Sequence, residues 1–173
     1  MENMLNVAEI RNLNDSGRSA IRLVLDTNIV MDLLHFHDQR TQLLRAAIDD
    51  GRAQCFTDSE CLAELERVSA YPAFGLDDTA RSALMQRYQD FVTLCEASSE
   101  EDYALPLCRD ADDQKFLILA VRCSASLLLT RDKRLLELAQ HRRQPPPYAI
   151  LTAEAAKHYL QGELVVSQLE KQG

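Results

Sequence analysis

The run from Ile21 to Asn28 constrains the fold more than any other part of this 173-residue chain. It reads Ile-Arg-Leu-Val-Leu-Asp-Thr-Asn, a short branched apolar segment typical of a buried strand, and it ends at a carboxylate followed by two small polar residues. Ligands of open α/β sheets bind at the carboxyl ends of the strands, so we expect Asp26 to lie where chemistry occurs. The alternative is that Asp26 only caps the helix that begins near Asn28.

Segments with the pattern of strands alternate with amphipathic helical segments along the chain. The predicted strands are residues 21–26, 53–56, 126–130 and 148–151. Such alternation is typical of a parallel sheet covered by helices on both faces. We therefore predict an α/β domain over residues 21–160, preceded by an extension at 1–20 and followed by a tail at 161–173.

The limits of several helices are marked by specific residues. Gly51 is expected to end a helix over residues 41–50. Thr57 and Glu60 have capping-box spacing, which predicts a helix starting there and running to about Ala70. Asp77 or Asp78 is expected to cap the next helix, whose apolar stripe continues to Val92. A strongly apolar helix is predicted over residues 112–122.

Composition narrows the classes of protein that this chain can belong to. The formal charge of −8 argues against binding nucleic acid through bulk positive charge. The five cysteines are odd in number and form no Cys-x-x-Cys pair, so we expect reduced core thiols rather than a zinc site or disulfides. No apolar run reaches the roughly 18 residues of a membrane span, and residues 1–20 do not resemble a secretory signal. We expect a cytoplasmic protein without a membrane partner.

Four acidic residues occupy positions that packing alone explains poorly, and we call them the acidic quartet: Asp26, Glu64, Asp113 and Asp132. Asp26 and Asp132 each follow a strand, so both are expected at the carboxyl edge of the sheet. Glu64 lies at the border of a buried helical stripe, whereas Glu66 is expected to face outward. Asp113 opens an apolar helix and is expected to point inward.

Each member of the acidic quartet also has a purely structural interpretation. Asp113, or its neighbour Asp112, could cap one helix and Asp132 another, and Glu64 could be a solvated residue on a helix flank. Gathering the four is costly, because two carboxylates about 4 Å apart repel by roughly 4 kcal/mol at an effective dielectric near 20. A cation offsets this repulsion, and oxygen ligands of this charge suit Mg²⁺ or Mn²⁺. The chemistry expected of such a site is phosphoryl transfer to water.

The motifs that carry these acids resemble the PIN domain family. They are Leu25-Asp-Thr-Asn28, the helix of Glu64, Arg109-Asp-Ala-Asp-Asp-Gln-Lys-Phe-Leu-Ile-Leu-Ala120 and Leu129-Thr-Arg-Asp-Lys-Arg-Leu-Leu136. The likeness covers roughly residues 20–155 and is greatest to the branch of toxin components of type II toxin–antitoxin systems. It implies a three-layer α/β/α sandwich with a central, mainly parallel sheet, and a metal-dependent ribonuclease that cleaves single-stranded RNA.

The resemblance also assigns roles to individual positions. The acidic quartet matches the family's catalytic and metal-binding acids, with Mg²⁺ or Mn²⁺ as the cofactor. Asn28 and Thr130 match polar positions beside them, and Arg131 stands where this branch often has Gly, which adds a substrate contact or narrows the site. Asp110 and Asp112 crowd the third motif, but the spacing from Asp113 to Ala120 fits the family. A homodimer and a cognate antitoxin protein are the partners that the likeness implies.

Other functions remain open at this point. Arg131, Lys133 and Arg134, with Arg142 and Arg143 beyond, could guide an RNA backbone or could form a solvated face. The Asp-Thr-Asn end of the first strand also resembles the haloacid dehalogenases, although that family's second Asp and strand-borne Thr are missing. A PIN-type RNA-processing nuclease that is not a toxin, and a module that binds protein or RNA without cleavage, are the further alternatives.

Overall fold

The computed structural model describes residues 19–161. Its strands are β1 (Ile21–Leu25), β2 (Ala53–Thr57), β3 (Val92–Leu94), β4 (Leu127–Leu129) and β5 (Ala149–Leu151). All pairings are parallel, and the strand order is β3-β2-β1-β4-β5. The α-helices are α1 (Thr27–Leu34), α2 (Gln42–Asp49), α3 (Ser59–Ser69), α4 (Asp78–Gln89), α5 (Gln114–Arg122), α6 (Lys133–Leu138) and α7 (Lys157–Leu160).

The sheet separates two hydrophobic cores, because successive side chains of a strand point to opposite faces. In β1, Leu23 and Leu25 pack into one core while Val24 packs into the other. The first core is covered by α1, α2, α3, α4 and α7, and the second mainly by α5 and α6. The three-layer α/β/α sandwich with a parallel central sheet is therefore confirmed.

The strand order creates a crevice at the centre of the sheet. The chain leaves β1 toward β2 and β3 on one side, then returns to add β4 and β5 on the other side. Ligand sites of doubly wound sheets lie at this reversal point, outside the carboxyl ends of the two central strands. Here those strands are β1 and β4, which lead directly into Asp26 and the segment Thr130–Asp132.

Two of the sequence-based predictions are wrong. The Thr57–Glu60 capping box does not form: Thr57 ends β2, and Asp58 is the N-cap of α3, its Oδ1 accepting from the backbone N–H of Cys61 at 2.8 Å. The apolar stripe after Asp77 does not continue to Val92 as helix, since α4 ends at Gln89 and Val92 begins β3. This strand escaped prediction because it has only three residues and is largely exposed at the sheet edge.

Two expected helix limits are confirmed. Asp77 caps α4 by accepting from the N–H of Ala80, and Gly51 follows α2 with a φ of 79°. The five cysteines are free thiols, of which Cys55, Cys61 and Cys123 are buried. Within residues 19–161, no helix combines the length and the apolar character needed to cross a membrane. The proposed extension and tail lie almost entirely outside the described residues.

Candidate active site

The acidic quartet lines one pocket at the carboxyl edge of the sheet, with a volume of about 230 Å³. Asp26 immediately follows β1, and Asp132 lies at the start of α6, beyond β4. Glu64 comes from the middle of α3, and Asp113 ends a 3₁₀ turn just before α5. Four separate segments thus converge on one pocket, because parallel strands bring their carboxyl ends to the same edge.

Asp26 is held by hydrogen bonds from side chains rather than by the helix it precedes. Its side chain makes no cap hydrogen bond to α1. Instead, its Oδ2 accepts from Thr130 Oγ1 at 2.6 Å and from Asn28 Nδ2 at 3.0 Å. The residue is only 5% exposed. Asp26 is thus the N-cap residue of α1 through its backbone, but its carboxylate does not cap the helix and is oriented by Thr130 and Asn28.

The same polar residues extend the network to Arg131 and Asp132. Thr130 Oγ1 accepts from the backbone N–H of Asp132 at 2.9 Å, and Asn28 Oδ1 accepts from that of Arg131 at 3.2 Å. Asp132 does cap α6, since its Oδ1 accepts from the N–H of Arg134 at 2.8 Å. Capping by one carboxylate oxygen does not remove Asp132 from the pocket wall, so its structural and chemical interpretations are compatible.

Glu64 and Asp113 line the same pocket from α3 and from the 3₁₀ turn before α5. Glu64 Oε1 accepts from Thr27 Oγ1 at 2.7 Å, and its Oε2 forms an ion pair with Lys115 Nζ. Glu66 on the same helix is exposed, as predicted. Asp113 makes no cap hydrogen bond to α5. Of the three acids in the third motif, Asp113 lines the pocket, whereas Asp110 caps the 3₁₀ turn by accepting from the N–H of Asp112 at 3.0 Å.

Burial, and after it the charges of neighbouring acids, raises the pKa of two members of the quartet. Burial raises the pKa of Asp26 above its ordinary value; the Thr130 hydrogen bond opposes this shift, and the charges of Glu64 and Asp132 add to it. Burial also raises the pKa of Asp113 to about 7, with further contributions from the charges of Asp26, Asp110, Asp132 and Glu64. Both shifts follow first from desolvation of the carboxyl groups, and the neighbouring negative charges act in the same direction.

The donor types fit a hard divalent cation, since the acids that line the pocket offer only carboxylate oxygens and neither His nor Cys lies among its lining residues. In the arrangement described for residues 19–161, no three or more His, Cys, Asp or Glu side chains are close enough together to hold a metal ion. Glu64 is instead engaged by Lys115 and Thr27. A bound cation would have to draw the carboxylates closer together, against this ion pair.

Arg131 was expected to contact the substrate, but its side chain is paired with another residue of the protein. Its guanidinium forms two hydrogen bonds with the buried carboxylate of Asp32, Nε to Oδ2 at 2.5 Å and an Nη to Oδ1 at 3.1 Å. The side chain still borders the pocket and is about half exposed. Arg142 and Arg143 line a different and larger hollow, of about 1000 Å³, together with Leu107.

Several residues at the site were not singled out from the sequence. Thr27 and Lys115 hold Glu64, Asp32 holds Arg131, and Phe36 and Phe74 form an aromatic wall of the pocket. The sequence did offer an indication for Thr27, because this polar residue directly follows Asp26 at the end of the first strand. No sequence pattern indicated a role for Lys115 or Asp32, because each forms its ion pair with a residue that is distant in sequence.

Comparison with known proteins bears on the family to which the chain belongs. A family model described as PIN domain matches residues 22–134, a span that includes all four acids of the quartet. No curated protein and no solved structure matches the chain. The family match favours the PIN interpretation over the haloacid dehalogenase alternative. PIN domains are nucleases that generally depend on divalent metal ions. With the match extending over more than half of its length, the chain belongs to the PIN domain family.

Proposed function

We propose that this protein is a metal-dependent endoribonuclease that cleaves single-stranded RNA, and that it acts as the toxin of a type II toxin–antitoxin pair. The observation that carries the proposal is the pocket at the reversal point of the sheet, which Asp26, Glu64, Asp113 and Asp132 all line. Four carboxylates facing one pocket repel one another, and a divalent cation relieves that repulsion.

The acidic quartet would hold Mg²⁺ or Mn²⁺ during the reaction. A bound divalent cation supplies an activated water at neutral pH and positive charge beside the phosphate oxygens. The water oxygen attacks phosphorus, the bond from phosphorus to the 3′-oxygen breaks, and the products are a 3′-hydroxyl and a 5′-phosphate. Thr130 and Asn28 orient Asp26 for this role, because both donate hydrogen bonds to its Oδ2. Thr27 fixes Glu64 in the same way.

Basic residues near the quartet supply limited guidance for an RNA backbone. Lys133 and Arg134 directly follow Asp132 and are exposed at the start of α6, where they can contact phosphates on either side of the cut. Arg131 can contribute a phosphate contact only by sharing its guanidinium with Asp32. The net charge of −8 then implies that affinity depends on a few local contacts rather than on a broad basic surface.

An aromatic wall supports the preference for single strands. Phe36 is 55% exposed and lines the pocket with the carboxylates. Its ring is held in place by His35, with ring centroids 4.6 Å apart, and by Phe74, with centroids 5.9 Å apart. An exposed ring fixed from two sides can stack on an unpaired base, and such stacking is worth about 1–3 kcal/mol per base.

Phe36→Ala is therefore expected to raise KM for a short single-stranded RNA by roughly tenfold, about the lower part of the stacking range, with little change in kcat. Phe36→Trp should retain the wild-type KM because its ring can still stack. Steady-state cleavage of one defined oligoribonucleotide checks this. An unchanged KM in the Ala variant would show that Phe36 does not contact the substrate.

The toxin role, the cognate antitoxin and the homodimer are supported by the resemblance of the motifs to the toxin branch. A PIN-type RNA-processing nuclease is the first alternative. A module that binds without cleavage is the second, and the ion pair between Lys115 and Glu64 favours it, because one member of the quartet is already neutralised. Arrest of cell growth on induction, relieved by co-expression of a small protein encoded next to the gene, would separate the toxin from both alternatives.

Removal of divalent metal is the direct test of the proposed reaction. Purified protein is incubated with a mixed pool of single-stranded RNA in Mn²⁺, in Mg²⁺ or in excess EDTA. We expect cleavage in at least one metal, none in EDTA, and recovery when Mn²⁺ exceeds the chelator. Sequencing of the fragment ends should find 5′-phosphates. Cleavage that persists in EDTA, or 2′,3′-cyclic phosphate ends, would contradict the proposed mechanism.

A further inference from the structure

Lys115 contacts the acidic quartet at Glu64, although the sequence pattern indicated no role for this lysine of the third motif. It belongs to the first turn of α5, two residues after Asp113, and its Nζ forms an ion pair with Glu64 Oε2. The other oxygen of Glu64 accepts from Thr27 Oγ1 at 2.7 Å. Both carboxylate oxygens of one proposed metal ligand are therefore engaged by side chains of the protein itself.

The surroundings make this ion pair a persistent contact rather than a passing surface one. The side chains of Lys115 and Glu64 are only 10% and 12% exposed. The ammonium also lies 5.4 Å from the centre of the Phe116 ring, near enough for a cation–π contact. Water therefore screens the pair weakly, and separating its members leaves two poorly solvated charges.

Lys115 is also the basic side chain best placed to offset the charge of the quartet. Among the described residues, it is the one Lys or Arg that forms an ion pair with a quartet member. Arg131 borders the same pocket, but its guanidinium is paired with Asp32. A divalent cation entering the pocket would find Glu64 already neutralised by its ion pair with Lys115.

We propose that Lys115 is a tethered counter-cation that holds Glu64 in the metal-free protein and competes with the divalent cation for it. The inference rests on the proposed function, because it assumes that the quartet binds metal. Its consequence is a weakened metal site in the absence of substrate. An RNA phosphate adds oxygen ligands and negative charge to the pocket, so metal binding becomes favourable when substrate is present.

Direct Mn²⁺ binding to the full-length protein tests the inference without using activity. Mn²⁺ is titrated into the protein without RNA, and the free ion is followed by electron paramagnetic resonance. Lys115→Met removes the competing charge and is expected to tighten Mn²⁺ binding by roughly tenfold. Lys115→Arg keeps the charge and should bind Mn²⁺ as the wild type does. Lys133→Met removes an exposed charge beside Asp132 and serves as the matched control, with a change of less than about threefold because solvent screens that charge.

The outcomes separate this inference from the proposed function. Equal or weaker Mn²⁺ binding by Lys115→Met, with measurable binding by the wild type, overturns the role of Lys115 and leaves the metal-dependent nuclease in place. An absence of Mn²⁺ binding in every variant, including the wild type, overturns both. If Lys115→Met does not fold, Lys115→Gln replaces it with the same expected tightening. If Lys133→Met tightened Mn²⁺ binding as much as Lys115→Met does, the gain would come from the lower total positive charge. That result would overturn the specific competition between Lys115 and the metal.

Discussion

Asp26→Asn is expected to reduce RNA cleavage by on the order of a hundred- to a thousand-fold while leaving the protein folded. The substitution removes one negative charge from the group of carboxylates that would hold the metal ion. A bound metal ion stabilises the transition state by several kcal/mol. Each loss of about 1.4 kcal/mol of that stabilisation lowers the rate tenfold. The amide is nearly the same size as the carboxylate. Its oxygen can still accept from Thr130 and Asn28, which both donate to Asp26 Oδ2.

The metal-free variant should be at least as stable as the wild type at neutral pH. Burial raises the pKa of Asp26 in the folded protein, so the folded state binds this proton more tightly than the unfolded chain does. The wild type therefore loses stability as pH rises from the ordinary carboxyl range through the raised pKa. Asn does not titrate, so its advantage in unfolding free energy is expected near neutrality and should shrink as pH falls toward the ordinary carboxyl range.

The measurements are cleavage rates in Mn²⁺ and chemical unfolding at several pH values in EDTA. Asp112→Asn is the matched control, because Asp112 is an exposed acid of the third motif that does not line the pocket. It should cleave RNA at a rate close to that of the wild type. Wild-type cleavage by Asp26→Asn would show that the pocket is not the catalytic site. A large loss of stability would instead assign Asp26 a structural role.

The parts of the fold that could be predicted are those controlled by local sequence pattern. The apolar run of β1 and the alternation of strands and helices indicate a parallel sheet, and parallel strands necessarily place their following residues at one edge. This is why the pattern of residues alone predicts that Asp26 and Asp132 lie near each other. The strand β3 could not be found in this way, because Val92, Thr93 and Leu94 are too few and too exposed to show a pattern.

The contacts inside the site were less predictable, because they join residues far apart in the chain. Glu64 meets Thr27 from a position 37 residues away, and Thr130 meets Asp26 across 104 residues. No periodicity in the sequence encodes which polar side chain a given acid will meet. The same limit applies to the start of α3, where Thr57 matched a capping box but pairs in the sheet, leaving Asp58 as the cap.

A buried ion-pair cluster around Arg122 leads to the largest expected loss of stability. Arg122 ends α5 and contacts Asp58 Oδ2 at 2.9 Å, both carboxylate oxygens of Glu101 at 2.7 Å and the carbonyl oxygen of Cys95 at 2.8 Å. The side chains of Arg122 and Asp58 are only 14% and 5% exposed. The cluster therefore ties α5 to the N-cap of α3, the helix that carries Glu64, and to the acidic loop near Glu101.

Arg122→Met is expected to lower the free energy of unfolding by about 3–5 kcal/mol, because it leaves the carboxylate of Asp58 buried without its partner. The measurement is urea unfolding, in which the midpoint should fall while the slope stays constant. Adding Asp58→Asn should recover part of the loss, since the neutral side chain can still cap α3 and needs no counter-charge. The matched control is Arg45→Met, which breaks an exposed pair with Asp49 and should cost less than about 1 kcal/mol. A similar small cost in Arg122→Met would mean that water solvates Asp58 and that the cluster does not fix the start of the Glu64 helix.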